Sequence, residues 1–354
     1  MKRRIAMGSV MALLSVAFVL SGCERLAMKL RPEIDYELLA DMVAERVDER
    51  MEMRELQKER ESRADVKERE TPLVEAVSEL SEGLEEPEAQ AESPAATVER
   101  GPEISPVEIR PEEVPLKVLT LAEKVVEIDG IDLVLVEIPA GEFLMGSPGG
   151  EGMDHEHPQH RVAITRPFYL GKYEVTQAQW VKVMGSGPSY FKGSDRPVES
   201  VSWDDVQKFI AKLSAITGQE FRLPTEAEWE YACRAGIEAR YYFGDDEDRL
   251  DEYAWYSGNS DSRTHPVGQT KPNQFGLYDM LGNVWEWCAD RYGKTYYNIS
   301  PKSDPKGPAS GKYRVLRGGG WHYQAIGLRA ANRYYQSPKY KYADTGFRIA
   351  QDTP

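Results

Sequence analysis

The chain is poor in cysteine, with three in 354 residues, and this excludes the small secreted folds that depend on several disulfides. It is also poor in positive charge, since 44 Lys and Arg stand against 59 Asp and Glu and the formal net charge is −15. Binding to nucleic acid requires a basic surface, so the composition argues against such a partner. The longest mostly apolar run extends from about residue 5 to residue 20, short for a membrane-spanning helix of about 20 residues.

Charge and aromatic residues are concentrated in different parts of the chain. Residues 24–115 contain 27 acidic and 13 basic side chains, whereas residues 116–354 contain 32 and 28. All seven Trp lie beyond residue 116. We therefore expect the hydrophobic core within residues 116–354, and the acidity belongs mainly to the segment that precedes it.

The N-terminal segment has the features of an export signal. Basic residues at 2–4 precede the apolar run, which ends at the tetrapeptide LSGC (20–23). This order resembles the lipobox of bacterial lipoproteins, in which the signal is cut before the cysteine and the cysteine receives acyl chains such as palmitate. We predict a signal peptide over residues 1–22, lipidation of Cys23, and anchoring to a membrane of the bacterial envelope outside the cytoplasm. An ordinary signal peptide with an incidental cysteine is the alternative.

Two spacer segments are predicted next. Residues 23–70 are rich in charged and helix-forming residues, and their narrow apolar stripe fits a solvated single helix as well as a seam for weak self-association through residues 34–60. Residues 71–115 consist mainly of Glu, Pro, Ala and Ser, which predicts a disordered linker. We interpret both segments as a tether that holds a domain away from the membrane.

Residues 116–354 are predicted to form a loop-rich α+β domain. The sequence indicates strands at 131–137 and 141–146. It indicates helices that begin after the capping residues Thr176, Ser202 and Thr225. Irregular structure is expected beyond Gly236, where Gly, Asn, Asp and Tyr are frequent and apolar runs are short.

One loop carries a weak signal for a cation. Asp279 and Glu286 lie seven residues apart around a glycine turn, and Ca²⁺ takes six to eight oxygen ligands from carboxylates and loop carbonyls. On spacing alone, ordinary surface carboxylates are the commoner explanation.

Seven strings in order resemble the formylglycine-generating enzyme family, also called the sulfatase-modifying factor family. They are GEFLMGS (141–147), FYLGKYEVTQAQW (168–180), PVESVSWDDV (197–206), RLPTEAEWEYACRAG (222–236), HPVGQTKPNQFGLYDMLGNVWEW (265–287), RVLRGGGW (314–321) and TGFRIA (345–350). The resemblance covers about residues 131–351. It implies a C-type-lectin-like α+β fold stabilised by Ca²⁺, with Asp279, Gly282, Val284 and Glu286 as the calcium ligands.

The sequence departs from that family at the catalytic position. In the enzymes, a cysteine pair near the C-terminus binds Cu(I), which selects soft thiolate ligands, and activates O₂ to oxidise a substrate cysteine. No cysteine follows Cys288 in this chain. We therefore predict no catalytic residue and no copper. A divergent oxidase of the formylglycine-generating or non-haem iron type, acting on a protein cysteine or a small molecule, remains the alternative.

The remaining cysteines and a cluster of three histidines are further candidate metal ligands, but structural roles are favoured for both. Cys233 and Cys288 are expected to be buried small apolar residues, or a disulfide. His155, His157 and His160 could take a borderline metal, but the glycine-rich loop before them and Pro158 favour an exposed turn.

The C-terminal stretch is rich in Tyr, Asn and Arg, which provide large contact areas and hydrogen-bonding groups on recognition surfaces. The candidate ligand-binding residues are His322, Tyr323, Arg329, Asn332, Arg333 and Tyr335. The arrangement is also similar to variable ligand-binding proteins of diversity-generating retroelements. We therefore predict a lipoprotein whose domain binds an unknown protein or small-molecule ligand, while about half of these aromatic residues pack in the core.

Overall fold

The computed structural model describes residues 117–354. The predicted signal peptide, the lipidation site Cys23, the spacer helix at 23–70 and the linker at 71–115 lie outside the described residues. None of the helices in the described range is long and apolar enough to cross a membrane.

Short strands form three sheets in the described part of the chain. They are β1 (Glu123–Ile128), β2 (Ile131–Ile138), β3 (Gly141–Met145), β4 (His160–Ile164), β5 (Phe168–Gly171), β6 (Trp285–Arg291), β7 (Arg314–Arg317), β8 (Tyr334–Gln336), β9 (Thr345–Gly346) and β10 (Ala350–Asp352). The first sheet has the order β1-β2-β5-β10, β3 pairs with β4, and the third sheet has the order β8-β7-β6-β9. Only the β6–β9 pair is parallel among these pairings, and the predicted strands at 131–137 and 141–146 are confirmed.

Three helices begin where the sequence predicts. They are α1 (Gln177–Met184), α2 (Trp203–Thr217) and α3 (Glu226–Arg234). Each follows a complete capping box, in which the side chains of Thr176, Ser202 and Thr225 accept from the third helical amide. Such a cap stabilises a helix by about 1 kcal/mol, so the start of each helix is encoded locally.

Helix α3 lies in the centre of the core, where it contacts β3, β4, β6 and β7. Its Trp229 is fully buried, and the indole Nε1 donates to Glu286 Oε2 at 2.7 Å. Cys233 of α3 and Cys288 of β6 are both buried and unpaired. The disulfide is therefore not formed, and both thiols pack as small apolar groups.

Acidic residues of α3 also pair with arginines, one within the helix and two from the C-terminal part of the chain. Glu230 accepts from Arg234 and from Arg317, and Glu226 accepts from Arg333. All five side chains are at most 5% exposed. A buried charge is stable only when it is paired. The pairs with Arg317 and Arg333 therefore hold the C-terminal segments against the core.

The segment between α3 and β6 is irregular, as predicted, and contains isolated bridges and a 3₁₀ helix (Glu247–Glu252). Asn273, which is fully buried, organises part of it. Its amide donates to the carbonyl oxygens of Ala232 and Cys233, and its Oδ1 accepts from the amides of Phe275 and Leu277. One buried amide thus satisfies main-chain groups that lack a regular partner.

Candidate ligand-binding site

A continuous row of aromatic rings, here called the aromatic strip, crosses the domain from solvent into the core. Its members are Tyr190, Phe191, Trp321, His322, Tyr323, Trp285 and Tyr334. Successive ring centroids lie between 4.5 and 5.4 Å apart. Tyr190 is 73% exposed at one end, whereas Trp285 is 1% exposed. Aromatic pairs at such distances attract one another beyond the burial of their area, so neighbouring rings help to hold one another in place.

Two chain turns position the centre of the strip. The glycines at 318 and 319 follow β7 with φ of +98° and +80°, a left-handed conformation that turns the chain toward Trp321. The indole Nε1 of Trp321 donates to Ala343 O at 3.0 Å, and the carbonyl of Trp321 accepts from Ser260 Oγ at 2.7 Å. One bond therefore holds the indole ring and the other holds the main chain of the same residue.

Four predicted ligand-binding residues lie in or near the strip and are half-buried. His322 and Tyr323 belong to it, and His322 Nε2 lies 3.5 Å from Asp344 Oδ2. Tyr335 stacks on Tyr292 with ring centroids 3.9 Å apart. Asn332 donates from Nδ2 to the carbonyl of Gly327. A role for these residues in ligand binding remains a prediction.

The prediction that Arg329 and Arg333 face a ligand is wrong, because both guanidinium groups are buried and paired. Arg329 donates to both carboxylate oxygens of Glu156 at 2.7 and 2.9 Å. Arg333 donates to both oxygens of Glu226 at 2.6 and 2.8 Å. The side chains of these arginines are 6% and 0% exposed, so they hold loops in place.

The histidine cluster is not the exposed turn that the sequence favours. A 3₁₀ turn (Asp154–Glu156) buries His155 and Glu156. Burial, followed by the charge of Arg333, lowers the pKa of His155 to about 4. His157 Nε2 lies 2.7 Å from the carbonyl of Glu151, and the ring of His160 packs on Tyr297. Among the described residues, no group of three His, Cys, Asp or Glu side chains is arranged to hold a metal.

The remaining thiols do not fit a copper site. Burial raises the pKa of Cys233 to about 12 and holds the pKa of Cys288 well above its usual value. A thiol that keeps its proton is a poor metal ligand and a poor nucleophile. No step of copper chemistry therefore follows from these residues.

The predicted calcium ligands come together in one buried turn, but their carboxylates are already occupied. Glu286 Oε1 accepts from Arg348 Nη2 at 2.6 Å, and Oε2 accepts from Arg348 Nε and Trp229 Nε1, both at 2.7 Å. Asp279 accepts from the amide of Gly268 and the hydroxyl of Thr270. A cation at Glu286 would face the positive charge of Arg348, so this donor set does not fit Ca²⁺ as arranged.

A third buried acid, Glu174, packs against this turn from the segment after β5, and the sequence did not indicate it. Its carboxylate accepts from Asn283 Nδ2 at 2.7 Å and from the amide of Val284 at 3.2 Å. Burial, followed by the charges of Asp279 and Glu286, raises its pKa well above the usual value. Burial also raises the pKa of Asp279 to about 6. The turn containing Gly282 and Val284 is thus fixed by hydrogen bonds within the protein.

A cavity of about 720 Å³ lies away from the strip, beside the ends of β4, β5 and β10 and the start of α3. Arg222 in its wall pairs with Glu228 and Asp352. Asp290, also in the wall, accepts from the amide of Glu226 at 2.8 Å. None of the predicted ligand-binding residues lines this cavity.

The fold is that of a loop-rich C-type-lectin-like domain. The profile of the sulfatase-modifying factor enzyme 1-like domain family matches residues 131–353. The chain belongs to this family, and the predicted formylglycine-generating-enzyme fold is confirmed.

Individual relatives support the same assignment. The chain is 32% identical over 285 residues to the formylglycine-generating enzyme of Streptomyces coelicolor, covering 61% of this chain and 88% of that protein. It is 35% identical over 249 residues to serine/threonine-protein kinase pkn1 of Chlamydia caviae, where the match covers 61% of this chain and 38% of that protein. The solved structure of Treponema denticola variable protein 1 is 32% identical with a TM-score of 0.62, covering 66% of this chain and 100% of that chain.

Proposed function

We propose that this chain is a lipid-anchored protein of the bacterial envelope whose family domain binds a ligand at the aromatic strip, without copper-dependent oxidation. The observation that carries the proposal is the position of the strip. Its central residues, at 321–323, directly follow the glycine turn of the string RVLRGGGW (314–321). The family resemblance places the copper-binding cysteines in the stretch after this string, and here aromatic rings occupy it.

The strip has the chemistry of a recognition surface. Tyr and Trp side chains offer large areas and polar heads at a small cost in side-chain entropy. Because the indole of Trp321 is held by the carbonyl of Ala343 and the main chain of Trp321 by Ser260, little ordering is needed when a ligand binds. The exposed ring of Tyr190 extends this surface into solvent.

Family membership alone leaves the activity open. The matched relatives carry names as different as a formylglycine-generating enzyme, a kinase and a variable protein, and function belongs to sites rather than to folds. The divergent oxidase is the rival, because the family includes an oxidising enzyme and the fold is shared.

An oxidation assay separates the two functions. The full chain is incubated with a sulfatase-motif peptide, Cu(I) and O₂, with the Streptomyces coelicolor enzyme as positive control, and formylglycine is measured by mass spectrometry. We expect unmodified peptide. Formation of formylglycine by this chain would overturn the proposal.

A binding assay tests the strip itself. Immobilised glycans and peptides are probed with the full chain, with Tyr190→Ala, and with Ile299→Ala as a matched control, since these two side chains are 73% and 78% exposed. We expect Ile299→Ala to bind the same probes as the unmodified chain. We expect the affinity of Tyr190→Ala for these probes to be at least tenfold lower. Equal binding by all three proteins, or no bound probe, would contradict a recognition role.

The anchor has its own test. The proposal rests on the order of basic residues, apolar run and LSGC (20–23). We expect Cys23→Ser to move the protein from the membrane fraction to the aqueous fraction and to abolish labelling by palmitate. Membrane association unchanged by this substitution would contradict lipidation at Cys23.

A further inference from the structure

Three loops meet at the outer end of the aromatic strip: residues 190–196, 260–267 and 320–323. The amide of Val267 donates to the carbonyl of Asp195 at 2.9 Å and holds the first two loops side by side. The hydroxyl of Ser260 donates to the carbonyl of Trp321 and links the second loop to the third. Phe191 packs edge-on against Trp321 at 5.4 Å, so the first loop also reaches the third.

Arg196 lies at this junction with an unused hydrogen-bond donor. Its side chain crosses Gly193, where an added Cβ would lie 2.9 Å from Arg196 Cδ. Within the described residues, the buried Nη1 atom of Arg196 has no hydrogen-bond partner. The Arg196 side chain as a whole is half-buried. A buried donor atom without an acceptor costs free energy, and it calls for an explanation by an ordered water, an ion or a ligand.

The charges around Arg196 favour an anion. Burial, followed by the positive charge of Arg263, lowers the pKa of Arg196. Burial also lowers the pKa of His265, and both arginines add to this effect. Two acids lie in the same loops. Asp261 pairs with Arg263, but the two side chains are 76% and 50% exposed, and such a solvated pair contributes little binding energy. The side chain of Asp195 is also exposed.

We propose that Arg196 and Arg263 form an oxyanion subsite at the outer end of the aromatic strip, so that the ligand combines a carboxylate, phosphate or sulfate group with a flat or apolar surface. The inference rests on the proposed function and names the class of its ligand. Arginine suits this role because its planar fork binds oxyanions through two parallel hydrogen bonds. The oxyanion supplies the acceptor that Nη1 lacks, and the rings of Phe191 and Trp321 contact the remainder of the ligand.

The simplest probes are inorganic phosphate, sulfate and acetate, titrated separately into the full chain at constant ionic strength set with NaCl. Binding is followed by calorimetry and by tryptophan fluorescence. We expect saturable binding of at least one oxyanion, and the order of the three affinities indicates which group the natural ligand carries. We expect Arg196→Gln and Arg263→Gln each to weaken binding at least fivefold. Arg161→Gln, at an exposed arginine of β4 paired with Glu142, is the matched control and should bind as the unmodified chain does.

Thermal unfolding adds a readout that a merely structural role would not produce. Without oxyanion, Arg196→Gln should unfold at the same temperature as the unmodified chain or higher, because it removes an unsatisfied buried donor. With saturating oxyanion, the unmodified chain should gain stability by mass action, and the variant should not.

Absence of saturable binding, or equal weakening in Arg161→Gln, would overturn the subsite. If Arg196→Gln is less stable than the unmodified chain without oxyanion and binds the oxyanion with unchanged affinity, the role of Arg196 is only structural. These failures are distinct from failure of the proposed function. If binding of the immobilised probes depends on Tyr190 while no oxyanion binds, the proposed function is supported and the subsite is wrong. If an oxyanion binds while Tyr190→Ala leaves binding of the immobilised probes unchanged, the proposed function is wrong.

Discussion

Arg333 and Glu226 form a two-pronged ion pair in the core, with the guanidinium Nε and Nη2 donating to the two carboxylate oxygens at 2.6 and 2.8 Å. The side chains are 0% and 2% exposed. Arg333 immediately precedes β8 and Glu226 is the first residue of α3. The pair therefore ties the C-terminal segment that carries part of the aromatic strip to the central helix.

Removal of one partner should be costly. We expect Arg333→Met to lower the free energy of unfolding by about 3–5 kcal/mol, since it leaves the Glu226 carboxylate buried without its main counter-charge. Urea denaturation measures the loss. Lys208→Met is the control, because the side chain of Lys208 is 67% exposed and its Nζ lies 3.4 Å from Asp205 Oδ1 in an exposed ion pair. This substitution should change the free energy of unfolding by less than about 0.5 kcal/mol. Similar values for both variants would contradict the importance of the buried pair.

Asp290 should make the domain less stable as pH rises. Burial, followed by the charge of Glu226, raises its pKa from 3.8 to about 8, so the folded state holds the proton more tightly than the unfolded state. Stability is thus lost between about pH 4 and pH 8 as the buried carboxyl is forced to ionise.

The variant Asp290→Asn isolates this effect, because its amide oxygen can still accept from the amide of Glu226. We expect it to exceed the unmodified chain in stability by about 5 kcal/mol at pH 8 and to match it near pH 4. Denaturation at a series of pH values measures the difference, with exposed Asp132→Asn as control. A constant difference at every pH would show that the carboxyl does not titrate in this range.

Local signals made the helices predictable, whereas the charge network depends on distant partners. Thr225 and its capping box lie within four residues, so the sequence alone locates the start of α3. Arg329 and Glu156 are 173 positions apart, and no pattern in either segment indicates that they meet. The sequence alone therefore places Arg329 and Arg333 among the candidate ligand-binding residues.

The aromatic strip was predicted in part for the same reason. His322 and Tyr323 lie in a stretch rich in aromatic residues, and this composition indicates them as candidates. Tyr190 and Phe191 follow α1, more than a hundred residues earlier, and they join the strip only through the packing of Phe191 on Trp321. Composition therefore indicated one side of the site and the fold supplied the other.

Gly282 should tolerate no side chain. Its φ is +81°, and an added Cβ would lie 2.3 Å from the carbonyl oxygen of Trp255. Gly218, the C-cap of α2, has φ of +68° with nothing within 4 Å, so it shares the backbone strain but lacks the contact. We expect Gly218→Ala to cost about 1 kcal/mol and Gly282→Ala to cost at least twice that, or to prevent folding. Thermal unfolding compares them, and equal costs would contradict the crowding.

Calcium should contribute little to stability, although the family resemblance predicts it. The Glu286 carboxylate already accepts three hydrogen bonds from Arg348 and Trp229, and a cation would have to displace a buried guanidinium. We expect the melting temperature to change by less than about 1 °C when EGTA is replaced by excess Ca²⁺.

Glu286→Gln gives the matching test. Because it removes the counter-charge of buried Arg348, we expect it to cost about 3 kcal/mol or more, equally in EGTA and in Ca²⁺. A rise of several degrees with Ca²⁺ in the unmodified chain, lost in Glu286→Gln, would instead show that Arg348 releases Glu286 to the cation. In that case the calcium set Asp279, Gly282, Val284 and Glu286 would be correct, and the arrangement described here would be the metal-free one.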